Sequence, residues 1–154
     1  MNKKEVIEAV AKVFADKISE LKSSLEGTRD RARDAPGHNV SHSDTSRFQL
    51  SNLALGIEKQ VVEYEEILKQ IKGVALEPAD KISVGSLFTL CDTDSDEEKN
   101  FLMLYQGGGE KITVDGVEIT TLSITAPIAQ ACLGKETDDE VKYRNNTFEV
   151  TEIQ

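Results

Sequence analysis

The sequence lacks tryptophan and has few cysteines, few prolines and no long apolar segment. Its two cysteines, Cys91 and Cys132, form no C-x-x-C pair, so we predict buried free thiols and neither a zinc site nor a disulfide framework. No apolar run approaches the roughly 18 residues that a membrane-crossing helix needs. These absences predict a cytoplasmic protein that binds no membrane.

Positive charge is scarce in the second half of the chain. The formal net charge is −10, and residues 79–154 carry 6 Lys and Arg against 15 Asp and Glu. Such a surface repels phosphate backbones, which argues against independent binding of nucleic acid. The excess acid favours either a basic protein partner or a role limited to solubility.

Two long segments of the first half have the apolar spacing of helices that pack on each other. We predict helices over residues 3–25 and from about Ser43 or Asp44 to Lys72, joined by a polar tip, residues 26–47. Because the connection is short, the helices are expected to form an antiparallel coiled coil. The predicted seam consists of Ile7, Ala11, Phe14, Ile18, Leu21, Leu25, Leu50, Leu53, Ile57, Val61, Tyr64, Leu68 and Ile71.

The tip leaves two questions open. Its segment RDRARD either extends the first helix or belongs to the loop, and Arg29, Arg31 and Arg33 either contact a partner or form solvated ion pairs. Asp44 is expected either to cap the second helix or to serve a function.

Strand patterns dominate the second half, after a linker around Pro78. We predict strands over residues 82–90, 99–105, 111–114, 117–124 and 147–153, with a tight hairpin at Asp115-Gly116. Pro127 and Gly134 bracket a short helix. The predicted fold is α+β, with an antiparallel helical hairpin over residues 1–75 and a β-rich domain with one short helix over residues 78–154.

Two further motifs suggest binding sites but lack essential residues. Asp92, Asp94 and Asp96 resemble the start of a calcium loop, yet Glu97 stands where that loop needs glycine. The three glycines at 107–109 are not followed by the lysine of a phosphate-binding loop. We expect a turn and a strand connection there, and no cofactor belonging to the chain itself.

The motifs SVGSLFTL and APIAQACLGKETDDEV, following a helical hairpin, resemble the bacterial Gre transcription elongation factors, whose patterns are VGS-x-VTL and SPIG-x-ALLGK-x-x-GDEV. The resemblance implies an FKBP-like C-terminal domain that docks at the rim of the RNA polymerase secondary channel. Polymerase contacts are then expected at Pro127, Ile128, Leu133 and Gly134. The coiled coil would place its tip at the polymerase active site, near the RNA 3′ end.

In cleavage-competent members of that family, two acids in a segment like D-L-S-E-N-A-E-Y help hold a Mg²⁺ ion shared with the polymerase. The matching positions in this chain are Ser41 and Asp44, so only the second acid is present, and Arg47 replaces a later acid. The resemblance therefore implies that Asp44, assisting the metal alone, supports little or no transcript cleavage by the polymerase. The role of His42 stays open.

Three other functions are weighed against this one. A Gre-like inhibitor of the channel or a stand-alone interaction module would account for the missing acid at Ser41. Prolyl isomerase activity, known among FKBP-like folds, is disfavoured because the chain has no Trp and only five Phe.

Overall fold

The computed structural model describes residues 2–34 and 41–154. For residues 41–44 it describes the backbone but not the side chains. Helix α1 spans Lys3–Asp34 and helix α2 spans Ser41–Lys72. The RDRARD segment therefore extends the first helix well beyond residue 25. Helix α2 begins two residues before Ser43 and three before Asp44, so both predicted caps lie inside its first turn. The helix was therefore predicted to start two or three residues too late.

The seam between the helices confirms the predicted hairpin. Ile18, Ile57 and Val61 are buried together, and Leu21, Leu25, Tyr64 and Leu68 pack against them. The Phe14 and Tyr64 rings meet edge to face at 5.6 Å between centroids. The prediction for Leu53 was wrong, because this side chain is 54% exposed. Helix α2 thus buries fewer apolar side chains near the tip than the heptad pattern predicts.

A six-stranded mixed sheet follows the hairpin and confirms the predicted α+β class. Its strands are β1 Leu87–Asp92, β2 Glu98–Leu104, β3 Lys111–Val114, β4 Val117–Ser123, β5 Glu140–Tyr143 and β6 Asn146–Ile153. Their order is β3-β4-β2-β1-β6-β5, and within this sheet the β2–β4 pair is parallel whereas the other pairs are antiparallel. Helix α3, Pro127–Cys132, lies between β4 and β5 in the chain.

Turn residues account for both the correct and the incorrect strand boundaries. Asp115 and Gly116 have φ values of 52° and 81°, which is the geometry of the predicted tight hairpin. The first strand begins at Leu87 instead of residue 82, because Gly85 has φ of 92° and the amide of Ser83 donates to the hydroxyl of Ser86. Strand β5 was missed, since the turn that follows it uses Arg144 at φ of 56° and contains no glycine.

One face of the sheet and helix α3 enclose a hydrophobic core. Phe88 and Phe101 pack with ring centroids 5.7 Å apart, and Ala129 and Cys132 bring α3 onto the same cluster. Ile82, which precedes the sheet, is also part of this core. The short helix is therefore fixed by burial as well as by its Pro127 start.

Thr121 joins the loop after β2 to strand β4, and its side chain is fully buried. Its hydroxyl donates to the carbonyl of Gly107 at 2.8 Å and accepts from the amide of Glu110 at 3.0 Å. We expect Thr121→Val to lower the free energy of unfolding by about 1–3 kcal/mol, because both bonds of a buried hydroxyl are lost. Urea unfolding measures this change. Thr113→Val on exposed β3 is the control, and equal losses from both variants would contradict the assignment.

The chain forms two compact units. One consists of Lys69–Gln154 together with the N-terminal stretch up to Lys12, and the other is Val13–Leu68. The division into residues 1–75 and 78–154 stays a prediction. Within residues 2–34 and 41–154, no helix is long and apolar enough to span a bilayer.

Candidate partner-binding site

The two tip positions Ser41 and Asp44 both lie in the first turn of α2. Residues three apart on a helix share a face, so the backbone brings these two positions together. Their side chains, and that of His42, fall outside the described part of the structure. The structure therefore places both positions on one face of the helix, and their function stays a prediction.

The arginines near the tip are mainly engaged within the hairpin. Arg29 forms an ion pair with Glu58 on α2, and Arg33 lies 3.7 Å from Asp30 on its own helix. Arg31 is exposed. The structure therefore favours the ion-pair interpretation for Arg29 and Arg33, since both already have an acidic neighbour.

Pro127, Ile128, Leu133 and Gly134 come together on α3 and the turn that ends it. Pro127 starts the helix and is exposed, whereas Ile128 is half-buried and packs mainly against the core. Leu133 is the C-cap residue and is 37% exposed, and Gly134 follows with φ of 76°. Exposed apolar surface at this place is therefore supplied by Leu133 and Pro127 more than by Ile128.

A neighbouring loop fixes Leu133 and adds an apolar residue that the sequence did not indicate. The amide of Gly134 donates to the carbonyl of Ile82, and the amide of Ile82 donates to the carbonyl of Lys135, each at 2.8 Å. Val84, two residues farther along this loop, is 48% exposed. We call Val84, Pro127, Leu133 and Gly134 the α3 corner. The sequence does contain one indication that Val84 is exposed. It lies between Ser83 and Gly85, two residues typical of turns, shortly before strand β1.

Acidic groups follow the α3 corner directly in the chain. Glu136 pairs with Lys81 at 2.9 Å, and this contact raises the pKa of the exposed Lys81 amine. The Asp139 carboxylate accepts the amide of Glu136 at 2.8 Å, while Asp138 and Glu140 are exposed. An apolar corner beside an acidic stretch suits a partner surface that is itself apolar and basic.

Asp92 serves as a turn anchor. Its carboxylate accepts the amides of Asp94 at 3.0 Å and Ser95 at 3.3 Å, and it also accepts the side chain of Asn146 at 2.9 Å. These bonds, the one from Asn146 foremost, lower the pKa of Asp92. Within the described residues, no group of three or more His, Cys, Asp and Glu side chains is arranged to hold a metal.

Both cysteines are free, as predicted, but their burial differs. Cys132 is fully buried, and this burial raises the pKa of its thiol to about 11. Cys91 is only half-buried, which corrects the prediction for this residue. Its pKa is also raised, first by desolvation and then by nearby carboxylates including Asp96 and Glu98. Neither thiol is therefore activated as a nucleophile near neutral pH.

Comparison with known proteins places these features in a family. Residues 77–154 match the family described as transcription elongation factor, GreA/GreB, C-term. The chain is 24% identical over 160 residues to transcription elongation factor GreA of Sulfurovum sp. (strain NBC37-1), covering 99% of this chain and 95% of that protein. It is 26% identical to GreA of Mesorhizobium japonicum, with 92% of each chain covered.

A solved structure, that of GreA factor homolog 1 (Gfh1) of Thermus thermophilus, is 18% identical and aligns over 95% of both chains with a TM-score of 0.37. The family match covers half of the chain and includes all of α3 and the six strands. On that match, the protein belongs to the GreA/GreB family of transcription elongation factors.

Proposed function

We propose that this protein binds RNA polymerase at the secondary channel and modulates elongation from within it. The observation that carries the proposal is the GreA/GreB match over residues 77–154, following a hairpin of two 32-residue helices. At about 1.5 Å per residue, each helix is roughly 48 Å long. A hairpin of this length suits insertion into a deep channel. The protein itself is not an enzyme, and any RNA cleavage belongs to the polymerase.

The α3 corner is the proposed docking surface for the polymerase. Leu133 is exposed, but the paired backbones of the Ile82 loop and Gly134 hold its position. A preformed apolar contact loses little conformational entropy on binding. The acidic stretch beside it would speed the encounter with a basic rim.

Positions 41 and 44 are the proposed point of contact with the catalytic Mg²⁺ of the polymerase. Mg²⁺ prefers oxygen ligands, and in proteins one or two carboxylates usually hold it together with waters and phosphate oxygens. Asp44 supplies one carboxylate and Ser41 supplies none, so this donor set suits the shared metal only weakly. Weak stimulation of RNA cleavage follows.

Ser41 also favours a second candidate function, inhibition at the channel. A hairpin that occupies the channel with a poor metal ligand would exclude family members that carry both tip acids. It would not itself stimulate the RNA cleavage that those members support. The replacement of a further family acid by Arg47 points the same way. Weak stimulation and competition are compatible, because occupancy and metal binding depend on different residues.

Binding to core polymerase tests the docking surface. We expect Leu133→Glu to weaken binding by at least about tenfold in a pull-down, because a charge would be buried against an apolar contact. Thr113→Glu is the matched control, since Thr113 is exposed on β3 and lies outside the α3 corner. Circular dichroism shows whether both variants remain folded. Failure of the unmodified chain to bind at low salt would overturn the proposed function.

A further inference from the structure

An apolar groove lies at the base of the hairpin, and its lining residues are different from those of the α3 corner. Its walls are Lys4, Ile7 and Ala11 on α1, Lys72 at the end of α2, and Val74 and Leu76 in the linker, with Glu8 at its edge. We call this the basal groove. The cavity has a volume of about 340 Å³, and a second cavity of about 510 Å³ shares Lys4 and Leu76 with it. Leu76 is 53% exposed, so a large apolar side chain faces solvent there.

The linker that forms one wall is fixed in place. The amide of Gly73 donates to the carbonyl of Gln70 at 3.1 Å, and the amide of Val74 donates to that of Ile71 at 3.2 Å. Farther on, the buried amine of Lys3 donates to the carbonyl of Glu77 at 3.5 Å. These contacts flank Leu76 on both sides. The chain on both sides of Leu76 is therefore hydrogen-bonded, and Leu76 itself lies at the surface.

Val74 is further restrained by close packing against the start of the sheet. A Cβ atom at Gly85 would lie 3.1 Å from Cγ1 of Val74, so only glycine allows this approach without displacement. The same position has φ of 92°, which glycine adopts readily. The linker wall of the groove thus belongs to the compact unit that contains the sheet.

Two lysines and one glutamate line the basal groove, so its lining carries one more positive than negative group. Lys4 and Lys72 flank its apolar walls, and one acid, Glu8, lies 3.9 Å from Lys4 with both side chains about two-thirds exposed. The chain as a whole has a net charge of −10. Since an exposed pair at that distance is weak, Lys4 remains able to attract another carboxylate.

We propose that the basal groove binds an acidic peptide segment of a partner protein through at least one large apolar side chain. The apolar anchor would pack between Ile7 and Leu76, and carboxylates on either side of it would pair with Lys4 and Lys72. Apolar burial supplies affinity, and the flanking lysines select acidic over basic segments. This binding is independent of docking by the α3 corner.

A fluorescein-labelled octapeptide of glutamate and leucine is a suitable probe, with a lysine and leucine octapeptide of the same spacing for comparison. Fluorescence anisotropy with the full chain should show saturable binding of the acidic probe alone, weakening as salt screens the lysines. The Lys4→Glu/Lys72→Glu double variant and Leu76→Ser should each weaken it at least about tenfold. Lys142→Glu, at an exposed position of strand β5, should leave it unchanged.

The outcomes separate cleanly. No binding of the acidic probe, equal binding of the basic probe, or an affinity unaffected by the groove variants would overturn the proposal. So would a concentration-dependent increase in mass that Leu76→Ser abolishes, because the groove would then be occupied by a second copy of the chain. Circular dichroism of Leu76→Ser and of the double variant checks that a loss of affinity reflects the groove and not unfolding.

Discussion

Replacing Ser41 with aspartate should raise RNA cleavage in backtracked polymerase complexes by roughly ten- to a hundredfold, the range typical for changes around a bound metal. The reason is coordination, because positions 41 and 44 lie one turn apart in α2 and two carboxylates hold Mg²⁺ better than one. Rates of shortening of a 3′-labelled RNA measure the effect. Asp44→Ala should remove the residual cleavage while leaving polymerase binding nearly intact.

Ser43→Asp is the matched control for this prediction. It adds the same charge to the same helical turn, but adjacent helix positions do not share a face with Asp44. A gain from Ser43→Asp equal to that from Ser41→Asp would show that charge alone matters. Robust cleavage by the unmodified chain that is insensitive to Asp44→Ala would show that these positions were matched to the family pattern incorrectly.

The start of α2 at Ser41 also bears on the alternative interpretation of Asp44, in which it caps the second helix. A capping aspartate would cost about 1 kcal/mol of stability when truncated. Because Asp44 lies inside the first turn, Asp44→Ala should remove only its interaction with the helix dipole, which at exposed positions is worth less than about 1 kcal/mol. Loss of cleavage without loss of stability would then identify a functional role.

Gly108→Ala should lower the free energy of unfolding by about 3 kcal/mol or more, since overpacking against rigid neighbours is among the costliest substitutions. A Cβ atom at Gly108 would lie 2.3 Å from the amide nitrogen of Ser123 and 3.1 Å from the carbonyl carbon of Leu122. Both neighbours are backbone atoms of β4, which cannot rotate away. Urea unfolding measures the loss.

Gly56→Ala is the contrasting substitution for Gly108→Ala. A Cβ atom at Gly56 has no neighbour within 4 Å, and the residue lies within α2. Alanine should therefore stabilise the helix by up to about 1 kcal/mol. An unfolding midpoint for Gly108→Ala at or above the unmodified value would contradict the packing described for the loop after β2.

Local patterns in the sequence predicted the parts of the fold that local interactions control. The heptad spacing around Ile18 and Ile57 indicated the hairpin, and Asp115-Gly116 indicated a tight turn, because these preferences act within a few residues. The strand order could not be predicted. The parallel pairing of β2 with β4 depends on packing over the whole sheet, and β5 is only four residues long.

The proposed binding surfaces could likewise be predicted only where their residues lie close together in the sequence. Pro127 and Leu133 of the proposed docking surface were indicated by the family resemblance, because one short motif contains both. The basal groove was not indicated, since the predicted hairpin brings Lys4 and Lys72 to the same end but does not determine how the linker around Leu76 packs there. Val84 was missed because its exposure depends on the turn that delays β1 to Leu87.

Photo-crosslinking from the tip tests most directly the proposal that the hairpin places its tip in the secondary channel of RNA polymerase. A photoreactive amino acid at the exposed position of Thr45 would be combined with a backtracked polymerase complex that carries 3′-labelled RNA. Placement of the tip in the secondary channel predicts a crosslink from position 45 to polymerase or to the RNA 3′ end, and no RNA crosslink from position 142 on β5. A chain that binds polymerase but yields no crosslink near the active site from position 45 would contradict the account.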